Sequence, residues 1–427
     1  MNIVHITAGT GNFYCGTCLR DHALVDAMRR QGHDAIMVPL YLPMVTDTAV
    51  DGDVPLFYGG INAYLQHRFW LFRHTPRWFD RFWDSAPLLR AAAARIGMTD
   101  PHLLGTMTVD SLKGEAGNQA KEQARLVTWL KANTKPDVIC LSHTLLSGLV
   151  PMLRRELGVP LVCSLQGEHS FLDALPAGSR DRSLDLLRTY ARDMDAVVAP
   201  SRYYADLMGA RLQIPEDLLH VVPNGVPIDD VIVTEPTTGT GRKVGYLAPI
   251  MPSKGLHILV DAFIALKKRE HNADVQLAVA GTLTKNNRSY LEEMKAKLTA
   301  AGFEQDAVFF TDIDRAEKLR FLSTLSVFSV PATYGEAFGL YLLEAMAAGV
   351  PVVQPRHGAF PELIDAIGGG ILCEADDAES LAAGLESLLS DTDAARSLGA
   401  AGREAVMENF TADHMAERFL RVLEKVI

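Results

Sequence analysis

The sequence predicts an α/β protein of two doubly wound, parallel-sheet domains, and three observations carry that expectation. Short apolar runs, such as residues 138–141, 160–165 and 275–280, alternate with longer stretches of helical periodicity. The chain's 427 residues, 48% of them hydrophobic, suffice for two cores of ordinary size. The stretch 235–241, EPTTGTG, has linker composition and divides the strands into two sets. The expected domains are 1–235 and 243–408, followed by a C-terminal helix at 409–427.

A net charge of −11 leaves no surplus of cations to neutralise a polyphosphate backbone, which argues against nucleic acid as a partner. An anionic ligand must then be met by local groups. The five cysteines are an odd number, and neither a signal peptide nor an apolar run of membrane-spanning length is evident. A reducing cytoplasmic setting is expected.

Residues 2–7 read as a strand, 8–12 as a glycine loop, and 17–32 as a helix. Gly9, Gly11 and Gly16 do not make G-x-G-x-x-G, and Asp34 precedes the second strand (35–38) instead of ending it. NAD is therefore disfavoured. Cys15 and Cys18 form a C-x-x-C, but Cys140, Cys163 and Cys373 supply no second pair for zinc, so a structural role is expected. In 66–90, Trp70, Trp78 and Trp83 are interleaved with Arg68, Arg73, Arg77, Arg81 and Arg90. That pattern suits two packed helices with snorkelling arginines, and it also suits peripheral membrane contact or a lipid-linked acceptor.

Alternation then resumes with a helix at 116–131, strands at 138–141 and 160–165, and further strands at 195–200 and 219–222. The strand at 160–165 ends in Gln166-Gly167-Glu168-His169, at the carboxyl edge where open α/β sheets bind ligands. The second set opens at 243–247. Lys254 follows it at a helix start, placed to meet a diphosphate. Strands at 275–280, 307–311, 326–330 and 352–354 complete that set, and 376–409 reads as two amphipathic helices.

The chain is organised around 329–353, SVPATYGEAFGLYLLEAMAAGVPVV. A strand enters a loop (331–337), a helix follows from about 338 to 348, and Gly349 stops it before the next strand. The N–H groups of Phe338, Gly339 and Leu340 face an anion with no acid to compete. Glu344 lies about 7 Å deeper along the helix axis, the spacing from a diphosphate to its own ribose hydroxyls. Glu336, on the loop, is placed to accept hydrogen bonds from a sugar. The Asp-x-Asp pairs at Asp51/Asp53, Asp193/Asp195, Asp312/Asp314 and Asp391/Asp393 have no motif context, so no metal requirement is expected.

Pro331, Glu336, Phe338-Gly339, Glu344-Ala-Met and Gly349-x-Pro together resemble the signature of retaining glycosyltransferases of the GT-B fold, family 4. Pro223-Asn224-Gly225, Lys254-Gly255 and His357 to Glu362 extend the resemblance. It implies two Rossmann-like domains facing a cleft, with the last helix crossing back to the first domain. It also implies transfer of a sugar from a nucleoside diphosphate donor to an acceptor with retention of configuration and no cofactor. Lys254, Glu336 and His169 would be catalytic; Gly11, Asn12, Phe338, Gly339, Leu340 and Glu344 would bind substrates. One position departs from the pattern: Pro249 stands where the family has Arg. Either another cation, such as Lys285 or Arg356, replaces it, or the protein turns over slowly; the alternative reading is a nucleotide-sugar-binding protein that has lost turnover. An epimerase would need an acid/base pair that the sequence does not show.

Overall fold

The computed structural model describes residues 1–9, 16–41, 101–231 and 242–427. Gly11, Asn12, Cys15, the segment 66–90 and the stretch 235–241 lie outside the described residues. Two compact units emerge: unit 1 is Met1–Pro223 with Met415–Ile427, and unit 2 is Asn224–His414.

Unit 1 contains β1 (Asn2–Thr7), α1 (Gly16–Arg30), β2 (Asp34–Pro39), α2 (Pro101–Leu112), α3 (Ala120–Asn133), β3 (Val138–Leu141), α4 (Val150–Leu157), β4 (Leu161–Ser164), α5 (Glu168–Ala174), α6 (Ala177–Ala191), β5 (Ala196–Ala199), α7 (Arg202–Leu212) and β6 (Leu219–Val221). Its strands pair in parallel in the order β2-β1-β3-β4-β5-β6. β3, β4 and β5 are buried along their whole length, which is why they read as unbroken apolar runs instead of alternating ones. Ser201 starts α7 by accepting the Tyr204 amide.

Unit 2 contains β7 (Lys243–Leu247), α8 (Leu256–Lys267), β8 (Gln276–Gly281), α9 (Arg288–Ala301), β9 (Ala307–Thr311), α10 (Arg315–Ser323), β10 (Val327–Phe328), α11 (Leu340–Ala347), β11 (Val352–Pro355), α12 (Phe360–Ile367), β12 (Gly370–Cys373), α13 (Ala378–Ser390) and α14 (Thr392–Asn409); α15 (Ala412–Val426) ends the chain. The sheet order is β12-β11-β10-β7-β8-β9, all parallel. Renumbered within the unit, this is the 3-2-1-4-5-6 order of a Rossmann fold.

Two expectations from the sequence need adjustment. The helix of the central stretch begins at Leu340, two residues later than expected. Gly339 takes a left-handed conformation (φ 98°, ψ 65°) as its N-cap, and the Phe338 side chain turns into the core at 3% exposure. The division between units falls at Pro223/Asn224, ahead of the linker-like stretch. Val226 bridges Thr411, with Val226 N donating to Phe410 O and Ala412 N to Val226 O, so the residues after Asn224 belong to the second fold.

Three of the Asp-x-Asp pairs have structural duties. Asp314 caps α10 in a capping box with Glu317, Asp391 caps α14, and Asp195 holds Arg154 and the Leu161 amide. Among the described residues no cluster of His, Cys, Asp or Glu has the arrangement to hold a metal ion, and no helix is long and apolar enough to cross a membrane.

Candidate active site

In unit 2 the chain runs outward from β7 through β8 to β9, then returns to lay β10 on the other side of β7. The crevice at the carboxyl ends of β7 and β10 is therefore the topological switch point, where such sheets bind ligands. Lys254 stands on the loop after β7 and Glu336 on the loop after β10. The two loops are stitched together: Thr333 N donates to Ser253 O at 3.0 Å, and Gly255 packs on Pro331. A Cβ at Gly255 would sit 1.7 Å from the Pro331 carbonyl oxygen, and φ there is +72°, so only glycine permits this approach.

The result is a four-residue network. Lys254 Nζ donates to Glu336 Oε2 and to Tyr334 Oη, both at 2.5 Å. Tyr334 Oη (3.1 Å) and Tyr341 Oη (2.8 Å) also donate to Glu336 Oε2. The ammonium lies 4.9 Å from the Tyr334 ring centre and 5.4 Å from that of Tyr341. Lys254 and Glu336 keep 13% and 12% exposure. Burial alone would raise the Glu336 pKa. The Lys254 charge and the hydrogen bonds from Lys254, Tyr341 and Tyr334 outweigh it and hold the carboxyl below its usual range. Burial beside the Glu336 charge pushes both tyrosine hydroxyls well up, so they stay neutral donors. Every donor converges on Oε2. Oε1 has no partner among the described residues.

Above this network α11 begins. Among the described residues the amides of Phe338, Gly339 and Leu340 donate to no backbone or side-chain acceptor, as expected of a helix start open to an anion. Glu344, one turn further, pairs with Lys318 on α10 (Nζ to Oε1, 2.7 Å). Lys318 is 9% exposed, a buried cation that no motif announced. Pro249 is exposed, its carbonyl accepting the Tyr246 hydroxyl at 3.3 Å; Lys285 and Arg356 are exposed too. Tyr334, Tyr341 and Lys318 are the groups that sequence reasoning missed. The tyrosines stand two residues before and five after Glu336, close enough to have been flagged.

Unit 1 has its own switch point, between β1 and β3. Asp21 is fully buried there and meets Arg20 Nη1 (3.0 Å), Gln166 Nε2 (2.9 Å), Thr7 Oγ1 (3.4 Å) and His5 Nε2 (3.3 Å). Burial opposes its ionisation, but His5 and Arg20 beside it prevail and hold its pKa far below the carboxylate range. Glu168 accepts from the amides of Thr144 and Gln166 and from the Tyr204 hydroxyl. His169 is buried on α5, its Nδ1 3.3 Å from Tyr204 Oη, while Gln166 beside it is partly exposed. Arg20 stacks over Phe419 of α15, 5.7 Å from the ring centre.

Comparison with known proteins gives consistent matches. The glycosyl transferases group 1 family matches residues 232–405, and glycosyltransferase family 4 matches 109–230. Alpha-maltose-1-phosphate synthase of Mycolicibacterium smegmatis is 30% identical over 321 residues, spanning 69% of this chain and 80% of that protein. Phosphatidyl-myo-inositol mannosyltransferase of Mycobacterium leprae is 32% identical over 209 residues, 48% of this chain and only 53% of that protein. Among solved structures, HepE of Anabaena in complex with UDP shares the fold, with a TM-score of 0.69 over 100% of both chains at 17% identity.

Proposed function

This chain belongs to glycosyltransferase family 4, the glycosyl transferases of group 1 with the GT-B fold, and we propose that it moves a sugar from a nucleoside diphosphate to an acceptor hydroxyl with retention of configuration. The observation that carries the reading is the Lys254–Glu336 pair at the switch point of unit 2, on the loop that leads into α11, whose first amides have no acceptor among the described residues. Glu336 Oε1 has no partner among the described residues.

In this reading the bond between the anomeric carbon and the diphosphate oxygen breaks, and the electron pair stays on the departing phosphate. Lys254 and the amides of Phe338, Gly339 and Leu340 receive that growing charge, with Lys254 and Glu336 preorganised and largely shielded from solvent. Glu336 Oε1 accepts a hydroxyl of the transferred sugar and holds it as the ring gains oxocarbenium character. Glu344 holds the ribose. The acceptor oxygen attacks from the face the phosphate is leaving, and its proton passes to the departing phosphate oxygen. His169, Gly11 and Asn12 are proposed to bind the sugar or the acceptor. The cation and amides need no metal, so none is proposed. Donor binding exchanges Glu336 for diphosphate as the main partner of the Lys254 ammonium.

One relative's name specifies a mannosyl group and phosphatidyl-myo-inositol, so GDP-mannose and phosphatidylinositol head the test panel, with UDP- and ADP-sugars and soluble sugars beside them. Nucleotide release that requires an acceptor, a product of unchanged anomeric configuration by NMR, and indifference to EDTA are the expected results. Thermal stabilisation by donors without release would favour the binding protein that Pro249 suggests. An inverted product would remove the proposed mechanism.

A further inference from the structure

The Lys318–Glu344 pair is the second charged pair beside the central stretch, and the proposed chemistry makes no use of its cation. Its placement follows from topology. With right-handed crossovers, the reversal after β9 puts α10 and α11 on the same face of the sheet, opposite to α8 and α9. Lys318, in the first turns of α10, thus meets Glu344, one turn into α11.

A buried ammonium is costly unless paired, and Lys318 has one carboxylate oxygen as its partner. Glu344 is 24% exposed, and its Oε2 has no partner among the described residues. The neighbouring cation Arg315 is already committed to Asp230, Nε to Oδ2 at 2.7 Å and Nη2 to Oδ1 at 2.5 Å. Among the described residues Lys318 is therefore the cation that holds Glu344. By occupying Oε1 it fixes the carboxylate plane and leaves Oε2, on a partly exposed side chain, as a pure acceptor. A vicinal diol suits such an acceptor; a phosphate, sharing its sign, does not.

We infer that Lys318 is a positioning residue for nucleotide selection: acting through Glu344, it makes the site discriminate for ribose hydroxyls. This rests on the reading of unit 2 as a nucleoside diphosphate site. The test is calorimetric binding of UDP, GDP and ADP and of their 2′,3′-dideoxy forms, with no turnover needed. The wild type should prefer the ribo form of its nucleotide by roughly tenfold or more, the worth of hydrogen bonds to a charged acceptor. Lys318→Met should bring that preference close to one while the dideoxy form binds as before, and Lys318→Arg should restore most of it. Melting curves of each variant establish that the fold is intact. If Lys318→Met weakens ribo and dideoxy forms equally, the lysine serves the phosphates and the inference fails. If it leaves the preference untouched, the pair is structural and the inference fails too. A wild type that binds nucleoside diphosphates without preferring ribose overturns the role of Glu344. A wild type that binds none overturns the proposed site itself.

Discussion

The two sheets place their polar groups at equivalent switch points and use them in opposite ways. In unit 1 the ionised centre, Asp21, is sealed from solvent, and His5, Arg20, Gln166 and Thr7 close around it. In unit 2 the ionised centre, Lys254 with Glu336, keeps a face to solvent and, among the described residues, an unused oxygen beside backbone amides that no other group takes. A charge wholly satisfied inside the protein holds architecture. A charge satisfied on one side only is poised for a ligand. Two parallel sheets of different strand order thus carry a sealed floor in one unit and, in the proposed function, a ligand site in the other.

The comparison breaks first at Asp21. Replacing it with Ala removes the buried carboxylate that meets Arg20, Gln166 and Thr7 in a dry interior, at a cost of about 3–5 kcal/mol. Chemical denaturation should report that loss. A variant as stable as the wild type would mean that the unit 1 cluster is not architectural.

Lys254→Met removes the cation that holds the shielded Glu336 carboxylate and so lowers the melting temperature too, but its main effect is on kcat, lower by about 10²–10³, the usual cost of losing one stabiliser of a developing oxyanion. Single-turnover kinetics separates this from weaker donor binding. An unchanged kcat would remove Lys254 from the chemistry.

A smaller effect, about tenfold in kcat/KM, is expected for Tyr341→Phe, which deletes one of three donors to Glu336 Oε2. It also moves the acid limb. The Glu336 pKa is depressed in the folded protein, so its ionised form and the stability it brings are fully present above the ordinary glutamate range. Both are lost as pH falls through the lower folded value. Removing a donor raises that folded value, so activity should fail at higher pH in the variant. An acid limb that stays put would mean that Tyr341 does not support the ionised form.

Much of this was legible in the sequence because it is local. The apolar runs of β3, β4 and β8 gave both parallel sheets, and the spacing from Glu336 to Gly349 gave the loop, the helix and its stop. The glycosyltransferase family, the GT-B class and the loop residue Lys254 followed from contiguous motifs. What stayed hidden depends on residues that only the tertiary fold brings together. Nothing near Lys318 marks it as the partner of a carboxylate 26 residues away, because that meeting is decided by sheet order. Tyr334 and Tyr341 read as ordinary neighbours of a glutamate until Lys254 arrives from the other loop. The late start of α11 was hidden for a different reason: an apolar Phe338 suits either a helix or a core anchor, and Gly339 decides between them by its backbone conformation.

The most direct test of the account is the structure of the protein with its preferred nucleoside diphosphate bound. The account predicts the terminal phosphate within hydrogen-bond distance of Lys254 Nζ and of the Gly339 or Leu340 amide, with Lys254 drawn away from Glu336. A diphosphate held elsewhere, with the Lys254–Glu336 pair and the amide end of α11 left as they are, would contradict it.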